Sequence, residues 1–169
     1  MCIRDRPIGI VAGSKKVMNT FSGADDTPAI FAGGTFSGNP LTMAGGIGIL
    51  EYLKENKDLI YPYLHEQGDR LSKEINDYCK SNNIPAQMMN AGSMMHLIFG
   101  GENIDSSRDI DRSHYKLERE FYLHLLGHNV LVPGIHLAFI SYAHTPKIID
   151  QVIEAFKNTF EDLRADGYL

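Results

Sequence analysis

A helix that is apolar on nearly all of its sides places the strongest constraint on how this chain can fold. Asn39 followed by Pro40 predicts where the helix begins, because Asn caps free N–H groups and Pro suits the first helical position. From Leu41 to Leu50 the residues are mostly small or apolar, and three are glycines, each of which weakens a helix by roughly 1 kcal/mol relative to alanine. Such a helix is expected to be buried. In a chain of 169 residues, burial on all sides favours cover by a larger domain or a second subunit.

The composition excludes several classes of protein. Lys and Arg number 16 against 21 Asp and Glu, a formal net charge of -5, which argues against a broad nucleic-acid-binding surface. The only cysteines, Cys2 and Cys79, cannot form a disulfide framework or a cysteine zinc site. No apolar run approaches the roughly 20 residues of a membrane span, and residues 1–6 do not resemble a signal peptide. The composition predicts a cytoplasmic protein without a nucleic-acid or membrane partner.

The first strand suggests that a larger sheet has been cut. Pro7 to Gly13 reads as a short buried strand that ends in a glycine turn. The residues before it are too few to supply the neighbouring strands and helices of a parallel sheet. One interpretation is an edge strand of a complete small domain. We favour the other, in which residues 7–58 end a larger domain and residues 1–6 are a non-native extension.

The rest of the chain predicts an α+β domain over residues 59–169. A helix is expected from about Pro62 to Asn82, and another around Phe121 that Gly127 closes. Thr145 and Pro146 predict the start of the last helix, whose buried stripe is Ile149, Val152, Phe156, Phe160 and Leu163. Four strands are expected at 86–90, 94–99, 130–132 and 137–142. This order suggests a sheet with helices on one face.

The loop before the apolar helix is the best candidate for a ligand site. Residues 31–40 combine small residues, the hydroxyls of Thr35 and Ser37, and a helix N-terminus. Backbone N–H groups at glycines approach ligands closely, and a helix start adds unpaired N–H groups and the positive end of its dipole. The pattern therefore favours a phosphate or carboxylate site. It has neither a Walker sequence nor Gly-x-Gly-x-x-Gly spacing, and a tight loop that satisfies its own backbone remains the alternative.

Histidines and lysines give weaker signals. His124 and His128 have the spacing of helical metal ligands, but no carboxylate or cysteine accompanies them in sequence, so no metal site is predicted. His144 follows a predicted strand, at a turn where capping or a partly exposed hydrogen bond is the favoured role. Lys15 and Lys16 are expected to be a solvated pair at a short helical turn rather than a covalent attachment point.

Several segments of the chain resemble one enzyme family. Residues 32–46, Ala-Gly-Gly-Thr-Phe-Ser-Gly-Asn-Pro-Leu-Thr-Met-Ala-Gly-Gly, resemble the segment after the active-site lysine of class III aminotransferases, which use pyridoxal phosphate (PLP). Residues 140–145, Ile-Ser-Tyr-Ala-His-Thr, are similar to a strand-to-helix junction near the C-terminus of that family. Residues 92–94 and 7–9 also match. The resemblance covers about residues 7 to 165.

The resemblance implies an α/β fold of PLP fold type I, with the end of the large domain followed by the small α+β domain. It implies homodimers with active sites at the subunit interface, where Gly34 and Thr35 bind the phosphate of the PLP that the other subunit holds. The implied enzyme is an aminomutase or transaminase that moves an amino group of a small amino-acid or amino-aldehyde substrate. This chain alone is expected to be inactive.

Two departures from the family pattern limit this interpretation. The lysine that carries PLP would precede Pro7, yet residues 1–6 include no lysine, so no catalytic residue is assigned in this chain. The family's aminomutases have a glutamate at the position of His136, which is the candidate substrate contact here. Amino donor and acceptor therefore stay open. The alternative function is a non-catalytic module that binds a phosphate ligand or mediates dimerisation.

Overall fold

The computed structural model describes residues 11–21, 29–30, 33–34, 37–100, 104, 106–132 and 137–169. The chain divides into two compact units, Met1–Lys57 and Asp58–Leu169. The strand expected at 7–13 lies mostly outside the described residues, and residues 11–13 have no regular structure. The assignment of 1–6, 7–58 and 59–169 to an extension, a large domain and a small domain remains a prediction.

The first unit contains two α-helices in its described part, with a 3-10 turn, Asn19–Phe21, after the first. Helix α1, Lys15–Met18, is capped by the Ser14 hydroxyl, and both of its lysines are exposed as expected. Helix α2, Pro40–Glu55, begins where the sequence predicted. Its expected burial is not provided by the described residues, because Leu41 is 83% exposed and Ile47 is 58% exposed. The cover that an apolar helix requires must come from outside the described residues.

The second unit is built from three long helices and a small sheet. Helix α3, Lys57–Ser81, is followed by strands β1, Ala86–Ala91, and β2, Met94–Phe99. After them come α4, Tyr115–Gly127, β3, Ala138–Phe139, and α5, Pro146–Ala165. The described sheet has the order β1-β2-β3 with antiparallel pairs, and Met94 of β2 faces Phe139 of β3. These elements confirm the α+β composition expected for this part of the chain.

Three details of the expected secondary structure are wrong. Helix α3 begins five residues before Pro62 and runs through it. The strand expected at 137–142 is reduced to Ala138–Phe139. Helix α4 does end at Gly127 as expected, and it is Asn129 that adopts the left-handed conformation after it (φ 64°), which Asn tolerates better than most residues. Residues 130–132 form no strand, because the chain leaves α4 in a turn in which the Val130 N–H donates to the Leu125 carbonyl.

One hydrophobic core joins α3, α4 and α5 to the sheet. Phe121 and Phe160 are fully buried at its centre, and their ring centroids lie 5.1 Å apart. Four of the five residues in the predicted stripe of α5 are buried, while the fifth, Val152, is half-buried. The prediction missed three buried residues of α5, namely Ile153, Ala155 and Thr159. Packing of this kind accounts for most of the stability of a domain this size.

Tyr122 at the edge of this core predicts a loss of stability in alkali. Burial, and secondarily the Glu118 carboxylate, raise the pKa of Tyr122 to about 12, against about 10 for an unfolded tyrosine. Between those pH values the unfolded state binds fewer protons, so the free energy of unfolding falls as the pH rises. Below pH 10 the contribution of Tyr122 to the free energy of unfolding does not change with pH. Urea unfolding at pH 8 and at pH 11 measures this change. The free energy of unfolding should fall less between the two pH values in Tyr122→Phe than in the wild type.

The comparison contains its own control. Burial also raises the pKa of the Cys79 thiol to about 12, and this group titrates in both proteins. The free energy of unfolding of both the wild type and Tyr122→Phe should therefore fall between pH 8 and pH 11. Equal losses in the two proteins would show that Tyr122 does not contribute.

Candidate functional site

The glycine loop before α2 forms a tight turn. The Ser37 N–H donates to the Gly34 carbonyl at 2.9 Å, and Gly38 adopts a left-handed conformation with φ of 72°. Gly34 is exposed. Thr35, the other residue expected to bind phosphate, lies outside the described residues. The turn leaves Gly34 accessible to a ligand, as the anion-site prediction requires.

The first N–H groups of α2 are already hydrogen-bonded. The Asn39 side-chain oxygen accepts from Leu41 N–H at 3.1 Å and from Thr42 N–H at 3.3 Å, and Pro40 has no N–H. The expectation that the helix start offers unpaired N–H groups to an anion is therefore wrong. The positive end of the helix dipole remains. Direct hydrogen bonds to an anion must come from the loop itself.

A second cluster lies at the junction between β3 and α5. The Ser141 N–H donates to His144 Nδ1 at 2.9 Å, and the His144 N–H donates to the Ser141 carbonyl at 3.0 Å. The Thr145 hydroxyl accepts from Ile148 N–H and caps α5. The Tyr63 hydroxyl on α3 donates to the His144 carbonyl at 2.6 Å. Of the two roles expected for His144, the structure shows the partly exposed hydrogen bond, because Thr145 supplies the cap. Tyr63 has no signal in the sequence because it lies 81 positions away.

Two further histidines, His124 and His128, have carboxylate partners. His128 Nε2 lies 2.7 Å from Asp162, and His124 Nε2 lies 3.4 Å from Asp166, so the pair joins α4 to α5. Within the described ranges, no three His, Cys, Asp or Glu side chains are placed to hold a metal ion. His136, the candidate substrate contact, lies outside those ranges.

An open groove on α5 has its charges neutralised by neighbours. It is lined by His128, Asp150, Gln151, Glu154, Ala155 and Asn158. Asp150 is paired with Arg70 of α3, and this pairing raises the pKa of the guanidinium. Glu154 is paired with Lys157 at 2.9 Å. The groove therefore offers no uncompensated charge for a ligand.

In the part of the chain that the structure describes, no helix is long and apolar enough to cross a membrane.

Comparison with curated proteins finds glutamate-1-semialdehyde 2,1-aminomutases among the relatives of this chain. The chain is 31% identical to glutamate-1-semialdehyde 2,1-aminomutase 1 of Staphylococcus carnosus, over 92% of this chain and 35% of that protein. It is 33% identical to the glutamate-1-semialdehyde 2,1-aminomutase of Methylacidiphilum infernorum, over 88% of this chain and 34% of that protein. No family model matches the chain. The chain is homologous to glutamate-1-semialdehyde 2,1-aminomutases.

Solved structures agree with this homology. A β-phenylalanine aminotransferase from Variovorax paradoxus superposes with a TM-score of 0.75 and 25% identity, over 90% of this chain and 35% of that one. A glutamate-1-semialdehyde aminomutase from Pseudomonas aeruginosa superposes with a TM-score of 0.61 and 16% identity, over 80% and 31% of the two chains. The fold is therefore that of the PLP fold type I transaminases, as predicted. This aminomutase homologue spans about a third of the length of its relatives.

Proposed function

We propose that this chain is the C-terminal part of a PLP-dependent aminomutase or transaminase, in which it supplies binding groups rather than the catalytic lysine. The observation that carries the proposal is the sequence match to glutamate-1-semialdehyde 2,1-aminomutases over about nine-tenths of the chain, at 31% identity for the Staphylococcus carnosus protein. Bound PLP supplies a carbonyl group that accepts an amino group and a ring that stabilises negative charge on the neighbouring carbon. The substrate proposed is a small amino acid or amino-aldehyde.

The described part of the glycine loop fits the phosphate of such a cofactor. Gly34 is exposed and carries no side chain, and the loop leads into the positive end of α2, where negative charge is stabilised. In the proposal Gly34 contributes its backbone N–H and Thr35 its hydroxyl. Their task is to fix the position of the phosphate so that the reactive end of the cofactor meets the substrate in one orientation. His136 is proposed to contact the substrate.

We also infer that two copies of the protein assemble across the site. The support is the apolar surface of α2, where Leu41, Ile47, Ile49 and Leu50 are each more than half exposed. Exposed apolar surface of this extent marks an interaction site in soluble proteins. In this arrangement the loop of one copy completes the cofactor site of the other. Light scattering on the complete gene product should give twice the subunit mass.

Loss of the Thr35 hydroxyl is expected to weaken cofactor binding. A hydrogen bond to a charged group contributes about 1.5–3 kcal/mol, so Thr35→Val should raise the Kd for PLP about 10- to 150-fold. Thr35→Ser keeps the hydroxyl and should change the Kd by less than about threefold. PLP absorbance titrations of the complete gene product measure both values. Amino transfer is then assayed with glutamate 1-semialdehyde, β-phenylalanine and L-alanine.

Two results would contradict these proposals separately. An unchanged Kd in Thr35→Val would remove the hydroxyl from the phosphate site. A wild-type protein that binds phosphate compounds but transfers no amino group would favour the non-catalytic module instead.

The proposed location is the cytoplasm, in keeping with only two cysteines, and cell fractionation tests it.

A further inference from the structure

Strand β1 forms one edge of the described sheet and lacks the usual protections of such an edge. An unpaired edge presents backbone N–H and C=O groups with which another strand can pair, and proteins commonly block it with charge, proline or a bulge. The six residues of β1, Ala-Gln-Met-Met-Asn-Ala, include no charged residue and no proline. Their register with β2 is continuous, from the pair Ala86 and Phe99 to the pair Ala91 and Met94, so β1 has no bulge. Other groups must therefore cover this edge.

Side chains of α3 take the place of a neighbouring strand at the middle of β1. The Asn76 side-chain oxygen accepts a hydrogen bond from the Met88 N–H at 2.7 Å, and the Asn76 side-chain nitrogen donates to the Met88 carbonyl at 2.9 Å. A neighbouring antiparallel strand would supply the same pair of bonds from one residue. The buried Ser72 hydroxyl donates to the same carbonyl at 2.8 Å. Both backbone groups of Met88 are therefore satisfied on the side of β1 that faces away from β2.

Helix α3 also covers β1 beyond this point. The Asp69 carboxylate accepts a hydrogen bond from the Asn90 side chain at 2.7 Å. One residue earlier in α3, a Cβ atom at Gly68 would overlap the Gly92 carbonyl, so the backbone of the helix approaches the β1–β2 turn closely. Helix α3 therefore lies along β1 from the centre of the strand to the turn that follows it.

We propose that Asn76 prevents β1 from pairing with the β1 strand of a second copy of this protein. The partner is a second copy because β1 carries no charge, so two such strands can meet without repulsion between like charges. In antiparallel pairing centred on Met88, each copy would give the other the donor and the acceptor that Asn76 now provides. Without the Asn76 amide, the Met88 N–H has no partner unless α3 separates from β1, and a second strand then satisfies it. This association is independent of the proposed function and of the dimer inferred from α2.

Hydrogen exchange in the wild-type complete gene product tests whether Asn76 protects the edge. Successive N–H groups of a strand point to opposite sides, so those of Gln87 and Met89 face β2 while that of Met88 faces Asn76. The Met88 amide should exchange within about tenfold of the amides of Gln87 and Met89. Faster exchange would mean that this edge is open to water and would overturn the proposal. The measurement does not require any variant to fold.

Asn76→Ala tests what the protection prevents. Two hydrogen bonds are lost, so the Met88 amide should exchange about 5- to 150-fold faster. Sedimentation velocity at increasing protein concentration should then show species of at least twice the mass of the wild-type assembly. The matched control is Asn82→Ala, which removes an amide that donates to the Tyr78 carbonyl at 2.9 Å instead of to β1. This variant should keep the wild-type mass.

A charge placed on β1 identifies the surface that associates. In Asn76→Ala/Gln87→Lys, like charges meet across the paired strands, so the wild-type mass should return while the Met88 amide still exchanges fast. Association that persists in this double variant would place the contact elsewhere and overturn the proposal. Equal association of Asn82→Ala would overturn it as well, because general destabilisation would then be the cause. A wild-type mass in Asn76→Ala with fast exchange at Met88 would show that an unprotected β1 does not pair.

Discussion

Phe121→Ala is expected to lower the free energy of unfolding by about 3–5 kcal/mol, the range for aromatic residues removed from a well-packed core. The Phe121 side chain is fully buried, and its ring centroid lies 5.7, 5.2 and 5.1 Å from those of Phe99, Phe156 and Phe160. Its removal leaves a cavity where β2, α4 and α5 meet, and rigid neighbours on three sides cannot collapse into it. Urea unfolding at pH 7, followed by circular dichroism, measures the loss.

The matched control for Phe121 is Phe139, which is 63% exposed on β3. Phe139→Ala removes the same atoms from a largely hydrated position and should cost less than about 1 kcal/mol. If the two substitutions had similar costs, the aromatic cluster would not be the centre of the core. A large loss for Phe139 alone would mean that this side chain is buried against something outside the chain.

Gly68→Ala is expected to destabilise the protein by about 3 kcal/mol, at the upper end of the range for overpacking. A Cβ atom at Gly68 would lie 2.0 Å from the Gly92 carbonyl oxygen and 3.0 Å from its carbon. Both atoms belong to the backbone of the β1–β2 turn, so a change of rotamer cannot relieve the contact. Helix α3 would have to move away from the sheet. Thermal unfolding of the variant and the wild type checks this.

Gly127→Ala is the control for this substitution. Gly127 also lies in a helix of the second unit, but among the described residues nothing lies within 4 Å of the position that an added Cβ would occupy. Alanine there should be neutral or should stabilise α4 by up to about 1 kcal/mol, because it lowers the entropy lost on folding. A Gly68→Ala protein as stable as the wild type would show that α3 does not approach the turn this closely.

Local signals in the sequence predicted the parts of the fold that local interactions determine. Asn39 and Thr145 cap the helices that they were expected to cap, because a cap depends on the two or three residues that follow it. The apolar spacing in α5 likewise predicted most of its buried face. The family resemblance added what no periodicity contains, namely the relation of this chain to PLP fold type I, which the superposed transaminases confirm.

The errors arose where other contacts of the chain override the local preference for a helix start or a strand. Pro62 was expected to begin α3, yet the helix continues through it, since packing of the remaining turns outweighs one lost hydrogen bond. The strand expected at 137–142 is reduced to Ala138–Phe139, because Ser141 bonds with His144 instead of a neighbouring strand. The contact of Tyr63 with this turn joins residues far apart in sequence, and no spacing rule predicts such a contact.

Because of the Asn39 cap, the stability of helix α2 and the affinity for a ligand do not depend on the same atoms. At many anion sites a ligand binds the free N–H groups of a helix, so that helix stability and ligand affinity change together. Here the side chain of Asn39 already satisfies the first N–H groups of α2, and only the preceding loop is left to bind a ligand directly. Substitutions in that loop can therefore alter ligand preference while α2 stays intact. In the proposed phosphate site, the residues of the loop can therefore change without loss of the helix on which the loop is mounted.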